Sequence, residues 1–493
     1  MPRAPASTDV GNSGTSLHVL SQRVSRVLHN STMHLDPRMG AFDAVMFGVE
    51  GDPLLRSVII LVAMLDRCPD RTVIDDRVDH MTRRIPRLRQ RAVGNPLSPA
   101  PPRWETDPNF DPTFHLRWRR GDDSCSAVDA VLAYAERMSE ADFDHARPLW
   151  EVAILTDLAD DAAAFVLKIH HSITDGVGGM AMAADMFDLQ REPASSPPSP
   201  DVPPPAPLGM VGRIGQDIGF ETRAARDTVV AAAGFVLAIA RDGLTHPVRT
   251  VTSAATTTTA MIRMLEPQST PRSELMTKRS LSSSFSILDV PLDELRRAAT
   301  VADTTINVCF VAAVAGAVRR HHQRLGHPLP EFRVNMPISL RTDADAEGGN
   351  QWVPARFIVP TEPDDLRSRI RRLDPILHKA RTDPALHLST IVYQLLTLLP
   401  RQVTTSVAGS LMKGVDVAAT NVPGPPIPVF TGGAEVTALV PFAPKGGAAV
   451  NVALMSYAGR AYLGINCDPA AVIDPELLTD CIREGLAEVV ALH

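Results

Sequence analysis

A histidine pair followed at fixed spacing by an aspartate, His170-His171-Ser172-Ile173-Thr174-Asp175-Gly176, is the part of this chain best suited to chemistry. Imidazole titrates near neutrality, so a histidine here can take a proton from a hydroxyl at working pH. Asp175 can orient the ring or hold the turn in shape. Together they suit general-base catalysis of acyl transfer. Gly176, Gly178 and Gly179 let the backbone turn sharply and let a substrate come close. In an extended segment successive side chains point to opposite faces, so only one of His170 and His171 faces a given cavity. Spacing alone does not say which. A general-base acyl transfer also needs an oxyanion donor. The amide of Asn421, beside Pro423-Gly424-Pro425, is a candidate, and a rigid crossover loop is the equal alternative. A GxSxG setting for a serine nucleophile is missing, so an acyl-serine intermediate is not expected.

The elements that must position these residues read as α/β. The apolar run Ala164–Ile169 predicts a strand that delivers the histidines to the glycine-rich turn. Strands are also predicted at Ser57–Leu65, Leu149–Leu155, Ser284–Val290, Phe332–Ile338, Ala355–Val359 and through Ala448–Ile465. Helices are predicted at Asp76–Arg91 (carrying Pro86), Ser126–Glu140, Met180–Leu189, Leu292–Thr300 and Asn307–Gln323. Alternating strands and helices point to layered α/β lobes. A second double histidine, His321-His322, closes a basic helix end with no acid four or five residues on, and is read as structural.

At 493 residues the chain exceeds what one core serves, so two lobes are expected. The divisions are a disordered segment at 1–30, a first lobe at 31–190, a Pro/Thr-rich and helical linker at 191–279, and a second lobe at 280–493. Apolar and charged contents of 44% and 21% are those of an ordinary soluble protein. A net charge of −7 argues against nucleic acid as a partner. Five cysteines without a CxxC speak against a disulfide framework or metal site and for the reducing cytoplasm. No secretory signal is visible at the N-terminus. The aliphatic run Val229–Ala240 is too short for the ~20 residues of a spanning helix, and is read as packing against a lobe rather than lying on a membrane surface.

His170–Gly176 resembles the HHxxxDG signature of the CoA-dependent acyltransferase superfamily. Further segments resemble, within it, the bacterial wax ester synthase/diacylglycerol acyltransferase family: Pro148-Leu149-Trp150, Trp104 with Asp107–Asp111 and His115, Pro337–Arg341 followed by Gly349-Asn350, Asn421–Pro425, and the closing run Asn451, Ser456-Tyr457, Gly464, Asp468. The resemblance implies two chloramphenicol-acetyltransferase-like lobes with mixed sheets and a central tunnel. It implies His171 as the general base, a supporting His170, and an Asp175 that holds the turn by pairing with an arginine, here Arg341. It implies acyl-CoA as a substrate, no cofactor or metal, and diacylglycerol or a long-chain alcohol as acceptor, giving triacylglycerol or wax ester. Peripheral contact with a membrane or lipid droplet follows from such substrates. Two departures bear on substrate choice. The family's Asn-Asp pair appears as Asn307-Val308, and the Met-His that often follows a proline appears as Leu54-Leu55-Arg56. The alternatives are a carrier-protein-dependent condensation or polyketide-associated acyltransferase, and a catalytically degenerate lipid-binding relative.

Overall fold

The computed structural model describes residues 37–492 apart from 96–97, 99, 193–198, 203–207, 246–269, 340–351, 384–392, 394–395 and 398–400. In chain order the strands are β1 (Val58–Leu65), β2 (Gln90–Val93), β3 (Arg103–Thr106), β4 (Leu116–Arg120), β5 (Trp150–Thr156), β6 (Ala163–His170) and β7 (Ser284–Pro291). They continue as β8 (Glu331–Ser339), β9 (Trp352–Pro360), β10 (Val417–Pro423), β11 (Phe430–Thr431), β12 (Ala434–Phe442), β13 (Val450–Tyr457) and β14 (Arg460–Cys467). The helices are α1 (Ala41–Val49), α2 (Arg71–Arg84), α3 (Pro112–His115), α4 (Ala127–Glu140), α5 (Gly176–Ala183) and α6 (Met210–Thr245). After them come α7 (Leu292–Val301), α8 (Ile306–Arg324), α9 (Leu366–Thr382), α10 (Arg401–Met412) and α11 (Pro475–Val490).

Two six-stranded sheets carry the fold, in the orders β11-β12-β1-β6-β5-β4 and β7-β14-β13-β10-β8-β9. Both are mixed: β4 runs parallel to β5 in the first, and β10 runs parallel to β13 and β8 in the second. The expectation of α/β lobes with mixed sheets is met. The aliphatic, β-branched run of β1 is buried along nearly its whole length, as suits a strand covered on both faces. Helix α4, capped by Ser126 as its sequence predicts, packs on β1 and β6. The second core forms around α8, whose stretch from Val308 to Val318 is buried throughout.

One hairpin of the second half completes the first sheet. Strand β12 pairs with β1, Leu61 facing Pro441, so the division between lobes in space is not a single cut in sequence. Close backbone contact makes this crossover possible. A Cβ on Gly424 would sit 2.3 Å from Ser456 O, and one on Gly464 would sit 1.9 Å from Pro441 O. The Tyr457 hydroxyl donates to Val436 O at 2.7 Å and accepts from Val429 N at 3.0 Å, tying both ends of the hairpin to β13. Phe285 of β7 stacks on Phe442 of β12 with centroids 4.1 Å apart.

Three element boundaries differ from the sequence reading. The predicted helix Asp76–Arg91 runs instead from Arg71 to Arg84, capped by Asp70, and Pro86 opens a separate 3-10 turn. The proline drives Ile85 into an extended conformation and so ends the helix before it. The helix expected at Met180–Leu189 starts at Gly176 and gives way to a 3-10 turn at Ala184–Met186, because Asp175 caps it from the motif itself. The run Ala448–Ile465 is a hairpin, turned at Ala458 and Gly459, both with positive φ.

His321 and His322 are structural, as expected. His322 donates from Nδ1 to Val318 O at 2.8 Å and accepts at Nε2 from the Ser273 hydroxyl at 2.7 Å. Burial pushes its ring down to about 4, so it stays neutral near pH 7. The run Val229–Ala240 falls within α6. Among the described residues no single helix is long and apolar enough to cross a membrane.

Candidate active site

Alternation along β6 decides which histidine faces the cavity. Phe165, Leu167, Ile169 and His171 line a cavity of about 530 Å³, as do Ile59, Leu61 and Ala63 of the neighbouring β1. His171 therefore continues the cavity-facing row one residue past the end of the strand. His170 points the other way and is fully buried. The main chain keeps this register beyond the last strand residue, since the His171 N–H donates to Ser57 O at 2.8 Å.

The turn after His171 is held from within. Asp175 Oδ1 accepts the Gly178 N–H at 2.7 Å and the Asp175 carbonyl accepts from Gly179 N at 2.7 Å, so the aspartate caps α5 in the manner of helix N-termini. A Cβ on Gly178 would lie 2.6 Å from Thr174 Oγ1, which is why glycine is needed at that position. Gly176 opens the helix. Arg341, the expected partner of Asp175, lies outside the described residues, as does Gly349-Asn350.

The second half supplies the facing wall. Trp352 at the start of β9 approaches the His171 ring, with centroids 5.2 Å apart. Asn421 of β10 directs its Nδ2 to Asn307 Oδ1 at 2.6 Å, and both amides line the cavity. The donor proposed from sequence is thus one half of an amide pair. Val308, where the resemblance leads one to look for an aspartate, is buried at the same wall. Among the described residues eight methionines line the cavity: Met46, Met81, Met180, Met182, Met186, Met336, Met412 and Met455.

The remaining motif residues support the site from behind. His115 is fully buried, donates from Nδ1 to Trp150 O at 2.7 Å, and stacks on the Trp150 ring at 4.5 Å. Trp150 in turn donates to Leu88 O at 2.8 Å, and Trp104 lies under the Arg87 guanidinium at 4.3 Å. These are packing roles that anchor the edge of the first sheet. Two residues escaped the sequence reading, Glu50 and Trp352. Glu50 Oε1 lies 2.8 Å from His170 Nε2, and its only sequence signal is a carboxylate at the end of an apolar run. A polar cleft of about 940 Å³ opens beside Glu50, lined also by Asp52, Asp142, His145, Ser406 and Lys413. Among the described residues no His/Cys/Asp/Glu group could hold a metal ion.

Comparison with known proteins agrees with the geometry. The model of the wax ester synthase/diacylglycerol acyltransferase catalytic domain matches residues 63–310, and that of the family's C-terminal domain matches residues 348–489. A protein of Mycobacterium tuberculosis H37Rv named as a diacylglycerol O-acyltransferase is 32% identical over 460 residues, 93% of this chain and 92% of the relative. A second from the same strain, named likewise, is 25% identical over 86% of this chain and 89% of its own. In fold, a wax ester synthase/diacylglycerol acyltransferase from Marinobacter aquaeolei VT8 superposes with a TM-score of 0.58 at 19% identity, over 92% of this chain and 98% of that one. The first condensation domain of the CDA synthetase superposes at 0.55 with 15% identity, over 94% and 98%. Two matched domain models that together span most of the sequence, with a 32% identical relative along nearly its full length, place the chain in the wax ester synthase/diacylglycerol acyltransferase family of acyltransferases.

Proposed function

We propose that this protein transfers a long-chain acyl group from acyl-CoA to the hydroxyl of diacylglycerol or of a long-chain alcohol, with His171 as the general base. The observation that carries this reading is the position of His171 on the wall of a mainly apolar cavity built by both halves of the chain. His171 takes the proton of the acceptor hydroxyl as its oxygen attacks the thioester carbonyl. The tetrahedral intermediate then collapses, the carbon–sulfur bond breaks, and the thiolate leaves with the proton from His171. The Asn307–Asn421 pair offers amide N–H groups for the developing oxyanion on the second-half wall. Asp175 acts on the turn, as the cap of α5, and Arg341 is its proposed partner. The cavity volume lies within the ~300–1,000 Å³ range of small-molecule sites. Its methionine-rich lining suits acyl chains of varied length, since unbranched thioethers repack easily.

Helix α6 supports a peripheral lipid surface as the place of work. It docks through two charged residues, Arg213 pairing with Glu105 at 2.6 Å and Asp217 with Arg38 at 2.8 Å. Met210, Val211, Ile214 and Ile218 face outward, the first two 78% and 85% exposed. A helix that docks by its charges and exposes its apolar stripe fits an interfacial role. Changing Ile214 and Ile218 together to Ser is expected to lower co-flotation with diolein-containing vesicles severalfold without changing turnover on detergent-dispersed substrate. Equal flotation of the double variant and wild type would remove α6 from the lipid contact.

The reaction is tested by thiol release from palmitoyl-CoA with diolein and with hexadecanol offered separately. Release that depends on an acceptor establishes the transfer and ranks the acceptors. Release only from a carrier-protein thioester would assign the donor to that class instead, and binding of both lipids without any release would leave a lipid-binding relative.

A further inference from the structure

We infer that Glu50 is a positioning residue for the catalytic turn, holding the His171 backbone from both sides through one carboxylate oxygen. The inference deepens the proposed reaction and rests on His171 being its base.

Glu50 directly follows α1 and reaches the turn across 120 residues of sequence. Its Oε1 accepts the Ser57 N–H at 2.7 Å, and the carbonyl of that same Ser57 accepts the His171 N–H at 2.8 Å. This is the first arm. The second runs through the ring of His170. The Ser172 N–H, which can only donate, lies 3.0 Å from His170 Nδ1, so Nδ1 is an acceptor. The Ser172 hydroxyl, 2.7 Å from the same nitrogen, donates to it as well. A ring with Nδ1 accepting on both counts is neutral and carries its proton on Nε2. That Nε2–H points at Glu50 Oε1, 2.8 Å away.

Residues 170 and 172 flank the base and Ser57 holds the base itself, and both arms end on the same oxygen, where Glu50 Oε1 accepts the Ser57 N–H and the His170 Nε2–H. Ser57, His170 and Ser172 are each under 5% exposed, so with Glu50 in place these bonds are shielded from water. Phe47 and Phe143 meet the His170 ring edge-on at 5.8 and 6.0 Å and keep it in plane with its partners. With Glu50 removed, His170 is free to take the Nδ1–H tautomer, which would set a proton against the Ser172 N–H and push the turn away. A misplacement of about 1 Å at a reacting group can cost ~10²-fold in rate.

The test compares Glu50→Ala, Glu50→Asp and Glu50→Gln in the full chain. Glutamine keeps an oxygen for both donors and is expected to retain kcat within about threefold of wild type. Alanine, and aspartate one methylene short, are expected to lower kcat by about 10–10²-fold with KM for both substrates unchanged. If alanine does not fold, aspartate carries the comparison. The ¹⁵N shifts of the His170 ring give a readout that needs no turnover: Nε2–H in wild type and Glu50→Gln, a mixed or reversed tautomer in Glu50→Asp. Wild-type kcat in Glu50→Asp, glutamine as damaging as aspartate, or an Nδ1–H signature in the wild type would each overturn the inference. A wild type that transfers no acyl group would refute the proposed reaction instead, and the ring nitrogens would still decide whether Glu50 sets the turn.

Discussion

His171→Ala is expected to remove acceptor-dependent thiol release, lowering kcat by about 10²–10⁴-fold, the usual contribution of a positioned general base. The fold should survive, because the side chain stands at a cavity wall and only half-buried, while the His171 backbone bond to Ser57 is untouched. The thermal midpoint should therefore stay near wild type while turnover collapses. His170→Ala is the informative contrast. That ring is fully buried and bonded at both nitrogens, so its loss should lower both stability and kcat. A His171→Ala enzyme that keeps wild-type kcat would rule out this base.

The second large effect is structural. Gly464→Ala should destabilise the protein by about 3 kcal/mol or more, at or beyond the upper end of overpacking costs. The new Cβ would lie 1.9 Å from Pro441 O and 2.9 Å from the carbonyl carbon behind it. Neither can move aside cheaply, since Pro441 is paired with Leu61 in the first sheet and Gly464 with Ala453 and Ile287 in the second. The residue sits where the crossing strand β12 touches β14, so the strain falls on the joint between the halves. Gly215→Ala is the control: that glycine lies in helix α6 with open space around its missing Cβ, and the change should be neutral or mildly stabilising. Denaturant midpoints of the two variants beside wild type decide the matter, and equal midpoints for Gly464→Ala and wild type would contradict the packing argument.

Much of the site was legible in the chain because its chemistry is local. The histidine pair, the aspartate that caps α5, and the glycine that clears Thr174 lie within nine residues, and a strand period of two already limits the cavity to one of the histidines. Helix α4 was equally readable, since Ser126 provides its own cap. Helix α9 was not seen, because its run of arginines and an internal proline mask the buried stripe Leu366, Ile370, Leu373 and Leu377. Helix α2 departs from the predicted Asp76–Arg91 because Asp70 caps it earlier and Pro86 ends it sooner than its periodicity implies.

What the sequence by itself determined was the α/β class, the HHxxxDG turn as the candidate site and, through the order of its motifs, the family. Only the tertiary structure decided that His171 and not His170 meets the cavity, that Trp352 and the Asn307–Asn421 pair face it, and that Glu50 reaches the turn from behind. It alone decided that β12 leaves its own half to close the first sheet. The physical reason is range: caps, turns and strand alternation are set by neighbours a few residues apart, whereas a cavity wall, a crossing strand and a bond spanning 120 residues exist only once distant segments have packed.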